Sequence, residues 1–290
     1  MFELRRIWRG SHISKDTFIF RDLVVNKVTK KIEAIKRIVP NLIIAGAQKA
    51  GTTTLYKYLS KHPDVCMSSP EKEPGYFIFN EWSKAYFLER KGIDISSRTE
   101  LLRKYMLYGY SGQKYFGDAS THYTIGDRGY KFNIPAKIKS LSPGARIVYI
   151  IRNPIDRIIS LYNHIHRREN LTQEIERDAS LVATSKYYYQ IKPYVDAFGK
   201  NNIKILLFED FIKDPQRALD DLFDFLGIKR MCLSSETIHA NRTVSRKTPF
   251  LERTMFGQIL EMLIKDIKQL EKLFEINLLQ RWDLSYNNWF

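Results

Sequence analysis

A short apolar run, Asn41-Leu-Ile-Ile-Ala-Gly46, passes straight into Ala47-Gln48-Lys49-Ala50-Gly51 and then into Thr52-Thr53-Thr54 at the head of a helical segment reaching Ser60. A buried strand, a glycine-bounded turn and a helix start, in that order, confine the chain to an α/β sheet more tightly than any other feature. Glycines let the backbone bend until successive N–H groups face one point, and the helix N-terminus adds partial positive charge there. Thr52 and Thr53 bring hydroxyl donors and Lys49 a mobile cation. Gly46, Gln48, Lys49, Ala50, Gly51, Thr52, Thr53 and Thr54 therefore form a candidate anion cradle. The pattern is not Walker A, which ends Gly-Lys-Ser/Thr. Here Lys49 stands two residues before the second glycine, which argues against a triphosphatase holding a magnesium-bound β/γ-phosphate.

The strand–turn–helix pattern repeats. Gly117-Asp-Ala-Ser reads as a strand end opening into a polar loop. Ala145 to Arg152 is a second buried strand, after which Pro154 starts a helix where its missing N–H costs nothing. Ile203 to Phe208 is a third strand, followed by a helix from about Pro215 to Leu226 that stops at Gly227. Continuous apolar strands alternating with helices predict a parallel sheet covered on both faces. The fold class is thus α/β: one P-loop-like domain over 41–290, with a central parallel sheet flanked by helices and a helical C-terminal segment from Phe250 to about Phe274.

Residues 1–40 differ from the rest. They carry ten Lys and Arg against four Asp and Glu, +6 of a total net charge of +15. Val24, Val25, Val28, Ile32, Ile35 and Ile38 recur at helical spacing, so this basic extension is expected to be helical, packed on the domain or touching an anionic membrane surface. The overall excess of positive charge suits capture of anions in general. Cys66 and Cys232 lie far apart and make no metal-like or redox-like pair. No apolar run nears the roughly 18 residues of a membrane span, and the first residues lack a secretory pattern. The expectation is a cytoplasmic protein, with membrane contact only through residues 1–40. Asn170-Leu-Thr and Asn241-Arg-Thr then count as chance glycosylation matches.

A second anion-binding segment comes after the second strand: Arg152-Asn-Pro-Ile-Asp156-Arg157-Ile-Ile-Ser160-Leu-Tyr162. Arg152 leaves the strand at its carboxyl end, where open α/β sheets bind ligands, and its planar fork suits phosphate. Ser160 falls roughly two turns into the helix. Asp156 and Arg157 either orient the loop or pair with each other on the surface. Tyr187-Tyr-Tyr189 offers rings to a sugar or adenine, yet Tyr188, Ile191, Val195 and Phe198 have the spacing of a half-buried helix. Trp282 and Trp289 read as packing anchors.

Taken together, these two segments resemble the sulfotransferases that use 3′-phosphoadenosine-5′-phosphosulfate (PAPS). The cradle resembles their 5′-phosphosulfate loop, and Arg-Asn-Pro…Asp-Arg…Ser…Tyr resembles their 3′-phosphate motif. Lys72-Glu73-Pro-Gly-Tyr-Phe77 is similar to the Lys-Glu-Pro-His-Phe-Phe stretch of the carbohydrate and heparan-type branch. Gly117-Asp-Ala-Ser-Thr-His-Tyr123 is similar to the Gly-Glu-Ala-Ser-x-x-Tyr of bacterial members, and Leu207-Phe-Glu-Asp-Phe…Asp214-Pro…Phe225-Leu-Gly227 to another recurring segment.

The resemblance implies that Lys49, Gly51, Thr52, Thr53 and Thr54 hold the 5′-phosphosulfate. Arg152 and Ser160 hold the 3′-phosphate, and Arg246, in the polar stretch with Arg242 and Lys247, adds a further contact. Glu73 is the implied general base, with His122 its competitor. The implied donor is PAPS without a metal, and the acceptor a hydroxyl or amine, carbohydrate before others. Two departures stand out: Gly75 replaces the branch's histidine, and Ala119 replaces the lysine that animal heparan enzymes carry after the acidic residue. A P-loop kinase-like phosphotransferase and a non-enzymatic polyanion binder, with no nucleic-acid signature, are the rival readings.

Overall fold

A computed structural model describes residues 38–165, 170–232, 251–282 and 284. The chain divides between Val39 and Pro40, and every strand and helix named below belongs to the second unit. The expected helix of residues 1–40 falls almost wholly outside the described residues, as do Arg242, Arg246, Lys247 and Trp289.

Five parallel strands form one sheet in the order β2-β3-β1-β4-β5. They are β1 (Leu42–Gly46), β2 (Val65–Met67), β3 (Tyr115–Asp118), β4 (Arg146–Ile151) and β5 (Ile203–Leu207). β1 and β4 are the continuous apolar runs of the sequence. Leu42, Ile43, Ile44 and Ala45, and Ile147 through Ile151, have no exposed surface, as strands covered on both faces must. Because β1 lies between β3 and β4, the loops that leave these three strands meet at the same carboxyl edge, the crevice where open α/β sheets bind ligands.

The helices that matter to the site are α1 (Thr52–Leu59), α2 (Pro154–Ile165), α3 (Tyr187–Phe198), α4 (Phe208–Lys213), α5 (Pro215–Leu226) and α6 (Arg253–Phe274). The local signals of α5 all operate. Pro215 opens it, Asp214 accepts from Arg217 N–H at 3.0 Å, and Gly227 closes it in the left-handed conformation. Leu219, Leu222, Phe223 and Leu226 form its buried stripe, each side chain contributing about 1.5–3 kcal/mol by burial. α6 runs a longer stripe from Phe256 to Leu270 and seats Asp266 within it. No helix among the described residues is long and apolar enough to cross a membrane.

Three local readings need correction, and a fourth residue gains a structural role. The third strand ends at Leu207, and Phe208 starts α4, with its ring 4.7 Å from the Arg152 guanidinium. α6 begins at Arg253 rather than Phe250. α3 buries Tyr187, Ile191, Tyr194 and Phe198, so its inner face is set by Tyr187 and Tyr194 rather than Tyr188 and Val195. Asn170 caps a short helix, accepting from Gln173 N–H at 2.9 Å. That contact gives the asparagine a structural role.

Candidate active site

The loop after β1 turns into α1 at Gly51, whose φ is +94°. A Cβ there would lie 2.9 Å from the Phe208 ring, so both conformation and space demand glycine. Lys49 holds a φ of +69°, a strained conformation for a lysine of the kind that persists where function requires it. No side chain caps α1, so its first N–H groups, which lack helical partners, are open to an anion.

Arg152 enters from the end of β4. Its Nη1 donates to the Lys49 carbonyl at 3.2 Å and its Nη2 lies 3.9 Å from Asp156. Its side chain is nearly buried. Burial, and after it the charge of Arg152, pulls the Lys49 ammonium below the ordinary lysine value. The two cations stand close together, an arrangement that a polyanion would relieve.

The neighbours of Arg152 hold it from behind. Its carbonyl accepts from the Tyr187 hydroxyl at 2.7 Å, and Asn153 N–H donates to Glu209 at 2.8 Å. Asn153 also donates to the Trp282 carbonyl at 3.1 Å. Tyr187 is itself fixed, because Asp266 of α6 accepts from the N–H groups of Tyr188 and Tyr189 at 2.8 and 3.0 Å. Burial raises the Asp266 carboxyl to about 6. The tyrosine triplet thus works as scaffold.

Arg157 resolves differently from its surface reading. It has no exposed surface and donates to Ser185 Oγ, to the Leu181 carbonyl and, at 3.5 Å, to the Gln48 carbonyl within the loop. It braces the cradle from beneath, while Asp156 turns to Arg152. Ser160 sits half-buried on α2.

Glu73 lies among three partners. Its Oε1 accepts from Lys72 at 2.6 Å. Its Oε2 accepts from Thr121 N–H at 3.2 Å and Thr121 Oγ1 at 2.8 Å, and lies 3.4 Å from His122 Nδ1. Burial alone would raise this carboxyl, but His122 and Lys72 outweigh it and bring it down to about 2. His122 stacks on Trp82 at 3.9 Å. The structure therefore places both candidate bases in one cluster.

Asp118, wholly buried at the end of β3, holds this cluster together. One of its oxygens accepts from Ser120 N–H and Oγ, the other from Tyr76 N–H and the Tyr123 hydroxyl. Ser120 in turn accepts from Gly75 N–H at 2.8 Å. The two segments that carry Glu73 and His122 are thereby tied to one carboxylate. Asp118→Asn turns a donor toward these donors and should destabilise the protein by about 1–3 kcal/mol, read by denaturant unfolding. Unchanged stability would remove Asp118 from this role.

Residues 39–260 match the family model described as the sulfotransferase domain. The chain belongs to the sulfotransferase family. The mouse heparan sulfate glucosamine 3-O-sulfotransferase 3B1 is 26% identical over 70% of this chain and 50% of its own length. The mouse bifunctional heparan sulfate N-deacetylase/N-sulfotransferase 1 is 26% identical over 65% of this chain and 22% of its own. The chain thus spans half or less of the length of these curated relatives. A crystal structure of a sulfotransferase from Alicyclobacillus acidocaldarius superposes with a TM-score of 0.65 at 26% identity, covering 85% of this chain and 99% of that one.

The departure of this sulfotransferase at Gly75 has a steric cause. Gly75 has a φ of +63°, and a Cβ there would stand 2.5 Å from Ser83 Oγ and 2.8 Å from Trp82. Trp82 fills the space a histidine would need, and His122 of the neighbouring loop stacks on that same ring. Lys72 is the contributor that motif reading passed over. Its ammonium reaches Thr52 Oγ1 at 3.5 Å, a contact between residues 20 apart that no spacing rule signals.

Proposed function

We propose that this protein transfers a sulfuryl group from PAPS to a hydroxyl or amine of a carbohydrate acceptor. The observation that carries the reading is the convergence of Lys49 and Arg152 at the carboxyl edge of β1 and β4, across from Glu73. An ADP- or ATP-like ligand needs one phosphate site. The cradle and Arg152 offer two, which suits a nucleotide with phosphates at both 5′ and 3′ positions.

The donor supplies an activated sulfuryl group and a bisphosphate leaving group. The N–H groups of α1 with Thr52, Thr53 and Thr54 hold its 5′ end, and Lys49 offsets charge that grows as the leaving group departs. Arg152 and Ser160 hold the 3′-phosphate, with Arg246 as a further contact. Glu73 takes the proton of the acceptor, and His122 borders it. Position and fixed charge then provide the catalysis, as in phosphoryl transfer.

The carbohydrate acceptor rests on the heparan sulfate relatives and on the net charge of +15, which would draw an acidic glycan. The decisive experiment is calorimetric titration with adenosine 3′,5′-bisphosphate, with AMP and ATP as controls. Binding should require the 3′-phosphate, and Arg152→Ala should weaken it by about tenfold to a hundredfold, the worth of a charge-assisted hydrogen bond. A preference for ATP would return the protein to the kinase-like reading.

A further inference from the structure

The ammonium of Lys72 joins three chain segments. It donates to Glu73 Oε1 at 2.6 Å, approaches the Ala119 carbonyl at 3.4 Å in the loop after β3, and reaches Thr52 Oγ1 at 3.5 Å at the head of α1. An ammonium has three protons, and here each has an acceptor on a different segment. Only 17% of the side chain is exposed, so water competes little for it.

We propose that Lys72 is the positioning residue that couples the proton-accepting carboxylate to the donor loop. This rests on the function proposed above and adds what the site requires electrostatically. A carboxylate placed beside an anionic donor would repel it and would tend to take up a proton before the acceptor arrives. A cation shared by Glu73 and Thr52 screens the two from each other and fixes the carboxylate relative to α1. Position 119, where animal heparan enzymes have lysine, is alanine here, and Lys72 sets its charge against that residue's backbone from the neighbouring segment.

The other charged groups around Glu73 do not duplicate this role. His122 faces Oε2. Glu71, whose carboxylate accepts from Glu73 N–H at 3.3 Å, is itself paired with Lys91. Asp118 is engaged by Ser120, Tyr76 and Tyr123. With Lys72 removed, burial still acts to raise the Glu73 carboxyl, and of the two groups that oppose it only His122 remains.

The test compares wild type, Lys72→Met and Lys72→Arg by pH–rate profile and by calorimetric affinity for adenosine 3′,5′-bisphosphate. In Lys72→Met the acid limb of kcat should move up by about 1–3 pH units, with kcat at neutral pH lowered by more than bisphosphate affinity, which loses only the screening of Glu73. Lys72→Arg should keep the wild-type limb, because a charge at the same place is retained. A limb that stays in place in Lys72→Met, or a fall in bisphosphate affinity that parallels the fall in kcat, overturns the proposal. Failure of wild type to bind the bisphosphate would instead refute the proposed function.

Discussion

Glu73→Gln should lower kcat by about 10²–10⁴-fold, the usual worth of a general base, while affinity for adenosine 3′,5′-bisphosphate stays at the wild-type value. The substitution keeps the shape of the side chain and removes its ability to take a proton. Its nearest groups are Lys72, Thr121 and His122, and the amide oxygen can still accept from Lys72 and leave it beside Thr52 of the cradle, so the nucleotide site keeps its arrangement. The pH dependence gives a second arm. Glu73 is held down at about 2, and a base works in its deprotonated form, present above that value and lost as pH falls through it. The wild-type rate should therefore be level in this group from about pH 8 down to about pH 5. A limb near neutrality, together with an inactive His122→Ala and an active Glu73→Gln, would transfer the role to His122, whose stacking on Trp82 at 3.9 Å already orients its ring.

Lys49→Met should cost about 10²–10³-fold in kcat, the scale seen when one stabilising donor is removed from a charge-developing site. Methionine preserves length and is no more strained than lysine at a φ of +69°. What it removes is the cation proposed to offset charge on the leaving group. Arg152 remains, still anchored to the carbonyl of residue 49, so bisphosphate affinity should fall much less than kcat. Steady-state rates and calorimetry on the same preparation separate the two quantities. A variant with near-normal kcat and weakened affinity would mean that Lys49 only binds the nucleotide.

The turn from β1 into α1 was legible without coordinates because each of its determinants is local. An apolar run makes β1, Gly51 permits the turn, and threonines come next at the head of α1. The same holds for α5, whose cap, opening proline and closing glycine lie within the helix and its two flanking residues. Parallel pairing also follows from the order of elements, since strands separated by helices and buried on both faces favour it. β2 escaped notice because three residues, Val65–Met67, are too few to display any period.

By itself, then, the sequence determined the strand–turn–helix units, the parallel sheet and the glycine-bounded loop between β1 and α1. The tertiary structure decided what touches what. It buried Arg157 under the Gln48 carbonyl, placed Tyr187 behind Arg152, made Asp118 the tie between two loops, and set Lys72 between Glu73 and Thr52. It also closed position 75 to any side chain by packing Trp82 there. The physical reason is range. Turn chemistry and hydrophobic period act within about a dozen residues. Hydrogen bonds across the site join residues 20 to 129 apart, and the tertiary fold brings them together.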